Sequence, residues 1–319
     1  MKSKYSNSRR RFLKNSLLTG AFFPLVADDL LSVTSTSIEN SLKINIFSKH
    51  LQFLGYTDMA EAAAEMGFDG VDVTVRPNGH VLPEKVETDL PKVVEALKKV
   101  NFVPLIMTTA VADANDVTDR KVLTTAAKLG FKFYRMDYYT YPDGKEMTAS
   151  IELFQQKIKE LSQLNKELGL TGCYQNHSGT LAGSSIWELW ELLRSADRQF
   201  MGVQYDIRHA VVEGALSWEN GLRLVQSQIK TINVKDFRWL DENAKYVITD
   251  IPIGEGVVDF KNFFKLLKQY KINVPVTLHT EYPLGGAEHG AKELTCNKQV
   301  VFNAMKKDLQ KVRELWQQS

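Results

Sequence analysis

The sequence predicts an α/β fold, a single-domain (β/α)8 barrel of the TIM type. Three observations lead there. From Lys43 onward, eight short apolar runs alternate with eight amphipathic segments, the rhythm of strand, crossover helix and next parallel strand. The trailing ends of those runs carry most of the histidines and many charged residues, as the C-terminal face of such a barrel does. No Gly-x-Gly-x-x-Gly follows a strand, and Gly254-Glu255-Gly256 lacks the third glycine. That disfavours the competing open sheet with a dinucleotide site.

The predicted strands are residues 44–47, 71–75, 103–108, 133–137, 172–176, 202–206, 231–235 and 276–280. Each is four to six residues long, and most are rich in β-branched or aromatic types, as strands covered on both faces require. Between them, residues 58–66 are alanine-rich. Residues 83–100 place Val86, Leu90, Val93, Val94 and Leu97 three and four apart, which makes one apolar helical face. Helices are also predicted at 119–129, 151–168, 185–195, 218–226 and 259–270, and a longer one at 292–317 closes the chain. Gly67, Gly130 and Gly169 follow helical patterns directly, where a left-handed residue ends a helix at least cost.

The amino-terminal stretch Ser8-Arg9-Arg10-Arg11-Phe12-Leu13-Lys14, with the weakly apolar run to Ala27, has the pattern of a twin-arginine export signal. This reading makes residues 1–27 a signal peptide, 28–42 a Ser/Thr-rich linker and 43–319 the barrel. It predicts an exported, periplasmic protein that folds first and has the twin-arginine translocase as a partner. Residues 1–27 hold six basic residues and no acid, so without them the formal charge moves from +2 to −4. Nucleic-acid binding then lacks electrostatic support. Cys173 and Cys296, the only cysteines, give no disulfide framework. No later run is long and apolar enough to span a membrane.

Polar residues crowd the predicted strand ends. They are Ser48-Lys49-His50, Arg76 to His80, Arg135 with Asp137, Gln175-Asn176-His177, Asp206-Ile207-Arg208-His209, Asn233-Val234-Lys235-Asp236 and His279-Thr280-Glu281. Five of the six histidines lie at or just beyond a strand end. Asp206 and His209 are spaced to reach one ligand across a strand-to-loop turn. Asp236 is placed to cap a turn. Lys49 and Arg135 suit either salt bridges at the mouth or ligand contacts. Glu281 ends an otherwise neutral strand, so its carboxylate calls for a ligand, a cation or a lysine beside it.

In order and placement, Gly67-Phe68-Asp69-Gly70-Val71-Asp72, Gln175-Asn176-His177, Asp206-Ile207-Arg208-His209, Val234-Lys235-Asp236 and Glu281 resemble the sugar phosphate isomerase/epimerase family. These are the xylose isomerase-like TIM barrels. The likeness runs from about residue 43 to about residue 290. It implies a divalent cation, Mn2+ or Mg2+, held at Gln175, Asp206, Asn233 and Glu281. Two of those positions depart from the family's carboxylate and imidazole. Gln175 and Asn233 offer a neutral carbonyl oxygen to a hard cation but supply no charge and no base.

What is left suits a one-base reaction on a free sugar or glycoside. Glu281 takes the proton beside a sugar carbonyl, and Lys235, or a metal, stabilises the enolate oxygen. His177, Arg208 and His209 bind sugar hydroxyls together with Asp206. Arg76, His80 and Arg135 bind a carboxylate, a second sugar or a hydroxyl pair from the other side of the mouth. The first expectation is therefore an exported carbohydrate isomerase or epimerase-like enzyme. The alternatives are a 3-keto-glycoside lyase and a barrel that only captures sugar.

Overall fold

The computed structural model describes residues 42–242 and 245–319. The signal at 1–27 and the linker as far as Ser41 lie outside the described residues. The strands β1 (Ile44–Phe47), β2 (Gly70–Val75), β3 (Ile106–Thr109), β4 (Phe133–Arg135), β5 (Thr171–Gln175), β6 (Met201–Asp206) and β7 (Ile229–Val234) run in order around a closed barrel. After the antiparallel hairpin β8 (Asp236–Glu242) and β9 (Lys245–Ile251), strand β10 (Val276–Leu278) pairs with both β7 and β1 and completes the circle. Every barrel pair is parallel, so all eight strands deliver their C-terminal ends to one face.

Helices α1 (Tyr56–Met66), α2 (Val86–Lys99), α3 (Val117–Leu129), α4 (Met147–Leu168), α5 (Ile186–Leu192), α6 (Ile207–Gly214), α7 (Trp218–Val225), α8 (Phe260–Gln269) and α9 (Lys298–Gln317) alternate with the strands. The predicted face of α2 is buried in full: Val86, Leu90, Val93, Val94 and Leu97 all pack into the core. Gly67, Gly130 and Gly169 end α1, α3 and α4 with φ of 91°, 97° and 69°.

The structure moves some predicted boundaries and adds a helix and a hairpin. β3 starts at Ile106, because Val103 is exposed. α9 starts at Lys298, not at residue 292, and is capped by Asn297, whose side chain accepts from the Gln299 N–H. Asp206 is both the last residue of β6 and the N-cap of α6, accepting from the His209 N–H at 3.2 Å. The expected loop after β6 is therefore a helix. The hairpin β8–β9 was not expected.

Asp236 pins that hairpin. Its carboxylate accepts from the backbone N–H groups of Phe237 (2.8 Å), Gly254 (2.9 Å), Gly256 (2.9 Å) and Val258 (3.2 Å). The Gly254-Glu255-Gly256 turn is thus a nest for a carboxylate of the chain itself, and a Cβ at Gly256 would strike Asp236. Asp236→Ala leaves these buried donors unmatched, at about 1–3 kcal/mol for each one that water does not reach. Urea denaturation should show a loss of about 3 kcal/mol or more; a loss under about 1 kcal/mol contradicts the pinning role.

Asp72 ties the bore together. It is fully buried on β2 and accepts from Thr108 Oγ1 on β3 at 3.0 Å and Thr277 Oγ1 on β10 at 3.1 Å. Burial pushes its pKa up to about 6, against the pull of the two hydroxyls and of Arg135 and Arg76. A folded-state pKa above the unfolded value of 3.8 means that the folded form binds the proton more tightly. Its contribution to stability is present at low pH and is lost as pH rises through about 6. Asp72→Asn removes this dependence. Relative to the parent, the variant should gain on the order of 2–3 kcal/mol between pH 4 and pH 7. Denaturation curves of both proteins at the two pH values check this; an unchanged difference contradicts it.

Candidate active site

The C-terminal ends of the strands surround a cavity of about 170 Å³. Its charged centre is Glu281, just beyond β10. Lys49, from the 3-10 turn that follows β1, places its Nζ 2.6 Å from Glu281 Oε1. Lys235, the residue between β7 and β8, places its Nζ 2.8 Å from Glu281 Oε2 and 3.5 Å from Asp206 Oδ2. Asp206 is fully buried beneath, and Gln175 Nε2 donates to the same Oδ2 at 2.8 Å. Tyr138 OH donates to Gln175 Oε1 at 2.5 Å. One hydrogen-bonded and ion-paired chain therefore runs from Lys49 through Glu281, Lys235, Asp206 and Gln175 to Tyr138. Lys235 thus stands between Glu281 and Asp206.

The protonation states follow from this arrangement. Burial alone would raise the Glu281 pKa, but the Lys235 and Lys49 ammoniums outweigh it and hold the carboxyl well below its usual range. Burial alone would lower that of Lys235, but Asp206 and Glu281 raise it above the ordinary lysine value. Lys49 is lowered, first by burial, with Lys235 and Arg76 adding to it against the pull of Glu281. Burial, then the nearby Lys235, lowers His177 and His209. Burial takes His279 to about 4. These imidazoles are neutral at pH 7. His177 Nδ1 lies 3.1 Å from the Ser178 carbonyl, which only accepts, so Nδ1 carries the proton and Nε2 is left with its lone pair.

Several expected site residues line the cavity: Glu281, Lys235, Gln175, His177, Arg76 and Arg135. Four others do not. Arg208 is engaged by Asp250 of β9, with Nε at 2.9 Å and a terminal nitrogen at 2.8 Å from Oδ1, and it lies over the Phe237 ring. It fastens the hairpin to the barrel. His209 stands behind His177, with ring centroids 4.0 Å apart, and its Nδ1 is bonded to Ser178. Asn233 donates to Gln204 at 3.2 Å. His80 is set back from the cavity, and burial lowers it to about 4. Sequence reasoning left Lys49 open between a salt bridge at the mouth and a ligand contact. It also gave no role to Phe47, which stacks on His279 at 4.4 Å, or to Asp250.

A divalent cation at the four implied positions would need oxygen donors converging on one point. Here an ammonium stands between the two carboxylates. Lys235 donates to Glu281 and faces Asp206, Lys49 covers the other Glu281 oxygen, and the Asn233 amide pairs with Gln204. Among the described residues, no three histidine, cysteine or acidic side chains are grouped to hold a metal. The residues present do not fit the implied cation.

Comparison with known proteins follows the same lines. A family model described as xylose isomerase-like TIM barrel matches residues 60–295. A Haemophilus influenzae protein named for L-ribulose-5-phosphate 3-epimerase, SgbU, is 28% identical over 155 residues, 47% of this chain. The match spans about half of that relative's length, 51%. Among solved structures, the IOLI protein with a binding zinc atom aligns with a TM-score of 0.67 at 15% identity, over 86% of this chain and 99% of that one. D-psicose 3-epimerase with D-tagatose, from Clostridium cellulolyticum H10, aligns with a TM-score of 0.65 at 13% identity, over 86% and 99%. At these identities the structural likeness carries the fold. No helix among the described residues is long and apolar enough to cross a membrane.

Proposed function

The chain belongs to the xylose isomerase-like TIM barrel family, and from that premise we propose that it is a sugar isomerase or epimerase-like enzyme that removes a proton beside a sugar carbonyl. The relatives named for sugar epimerisation support the general class. The observation that carries the reading is the Glu281 carboxylate, held ionised between the Lys49 and Lys235 ammoniums at the cavity wall. Glu281 takes the proton from the carbon next to the carbonyl. Lys235 turns an N–H toward the carbonyl oxygen and stabilises the negative charge that develops there. The same movement loosens the Lys235–Glu281 pair, so the carboxylate becomes more basic as the substrate is polarised. Gln175, Tyr138 and His177 contact sugar hydroxyls. In an isomerase Glu281 returns the proton to the neighbouring carbon while that carbon's hydroxyl proton passes to the former carbonyl oxygen; in an epimerase a water on the opposite face protonates the original carbon, and Glu281 gives its proton to the hydroxide left behind.

One feature favours a second reading, a lyase acting on a 3-keto-glycoside. Gln175 cannot act as a base, so Glu281 is the one carboxylate lining the cavity. In that reading the carbanion expels the neighbouring glycosidic oxygen, and the proton on Glu281 leaves with it. Incubation with ketoses and with 3-keto-glycosides, followed by NMR of the products, separates the readings. Inverted or isomerised sugars support the first, an unsaturated keto-sugar with released aglycone supports the second, and tight binding without turnover leaves only sugar capture. Export by the twin-arginine route is part of the proposal, resting on Arg9, Arg10 and the apolar run that follows. Sequencing the amino terminus of the protein from a periplasmic fraction tests it.

A further inference from the structure

We infer that the wall formed by β2 and β4 is an anion subsite, and that the sugar acted on carries a carboxylate or phosphate group held by Arg76 and Arg135. This rests on the proposed sugar reaction for the rest of the ligand but not for the anion. The cavity is lined by four cationic side chains, Lys49, Arg76, Arg135 and Lys235, and by one carboxylate, Glu281. The lysines are matched by Glu281 and Asp206. The arginines are not. Among the described residues neither guanidinium has a carboxylate within ion-pair distance. Arg135 is 4% exposed, its Nε has no partner, and one terminal nitrogen reaches the Thr109 carbonyl only at 3.4 Å. Its guanidinium lies 4.7 Å from the centre of the Tyr138 ring. Arg76 lies 5.6 Å from the centre of the Phe47 ring.

The nearest acids, Asp72 and Asp137, attract the arginines without coming within ion-pair distance, and they are held by bonds of their own. Both Asp72 oxygens accept threonine hydroxyls, and Asp137 Oδ1 accepts from the Tyr138 N–H. Two guanidiniums that repel each other in a buried wall, with free donors facing a cavity, are costly without an anion. A planar fork of N–H donors suits carboxylate and phosphate oxygens. Around the barrel, β4 lies opposite β10, the strand that leads to Glu281, whereas β2 is separated from β10 only by β1. An anion held by Arg135 therefore lies across the cavity from Glu281, and Arg76 reaches it from the side, next to Lys49 over the Phe47 ring. The volume, well under the ~300–1,000 Å³ of drug-sized pockets, suits a single sugar unit.

Isothermal titration of the protein at low salt with D-glucuronate, inorganic phosphate and D-glucose tests the inference. D-Glucuronate or phosphate should bind at least tenfold more tightly than D-glucose. That preference should fall by at least tenfold in Arg76→Met and Arg135→Met. Arg76→Lys keeps the charge and protects the fold but should lose most of the preference, because it lacks the fork. Tighter binding of phosphate than of D-glucuronate, with competition between them, assigns the group as phosphate; the reverse order assigns a carboxylate. Equal binding of D-glucose and the anions by the parent protein overturns the subsite, as does an undiminished preference in folded arginine variants. The same titration on Glu281→Gln keeps the two ideas apart. A retained anion preference there upholds the subsite whether or not Glu281 proves to be the base.

Discussion

Glu281→Gln should lower kcat by about 10²–10⁴-fold, the range a positioned general base contributes, while substrate binding changes little. The substitution keeps the shape of the side chain and its hydrogen-bonding reach but removes its basicity. It also leaves the Lys49 and Lys235 ammoniums facing a neutral amide where each now has a carboxylate oxygen at 2.6 and 2.8 Å. Breaking a fully buried pair costs about 3–5 kcal/mol. Glu281 is 22% exposed in its side chain, so water offsets part of that and a smaller loss is expected. A structural role alone would lower the melting temperature and leave kcat in place. Calorimetric melting beside steady-state kinetics separates the two. Lys49→Met is the control: it removes one ammonium and keeps the carboxylate, so its effect on kcat should be at least tenfold smaller.

Lys235→Met should lower kcat by about 10²–10³-fold, as loss of one preorganised donor to a developing oxyanion does, with a smaller change in KM. Lys235 also neutralises Asp206, which is fully buried and otherwise accepts only from Gln175 Nε2 and the His209 N–H. A stability loss of about 3 kcal/mol is therefore expected as well. Lys235→Arg restores the charge and should restore stability, but not the rate, because its planar fork cannot bridge the same two carboxylates in the same place. Since the ammonium fills the position between the acids, chelator treatment of the parent should leave kcat within about twofold, a range that corresponds to under ~0.5 kcal/mol. A tenfold loss that Mn2+ or Mg2+ restores would show that a metal, and not Lys235, carries the charge.

The barrel was legible because each of its strands is a short, nearly continuous apolar run, the mark of burial on both faces. Strand ends were legible to within a few residues because polar side chains gather there. The hairpin β8–β9 was not. It lies outside the barrel sheet, and its segment around Arg238, Trp239 and Asp241 is largely exposed, so its apolar residues do not form the continuous run of a strand buried on both faces. Missing it hid Asp250 and left Arg208 to read as a free sugar-binding group. Helix α6 escaped because Asp206 closes a strand and caps a helix at once. The weight of Lys49 could not be read locally, since its partner Glu281 is 232 positions away. The two neutral departures, Gln175 and Asn233, were visible in the sequence. What replaces the missing charge was not, because it depends on where the flexible stem of Lys235 places its ammonium.

The account rests on Glu281 taking a proton from a carbon beside a carbonyl. The most direct test is NMR of deuterium uptake from D2O into ketoses, 3-keto-glycosides and keto-sugar acids, with the parent protein and Glu281→Gln side by side. The account predicts uptake at one carbon next to the carbonyl with the parent and none above background with the variant. Equal uptake with both proteins, or turnover by the parent without any uptake, would contradict it.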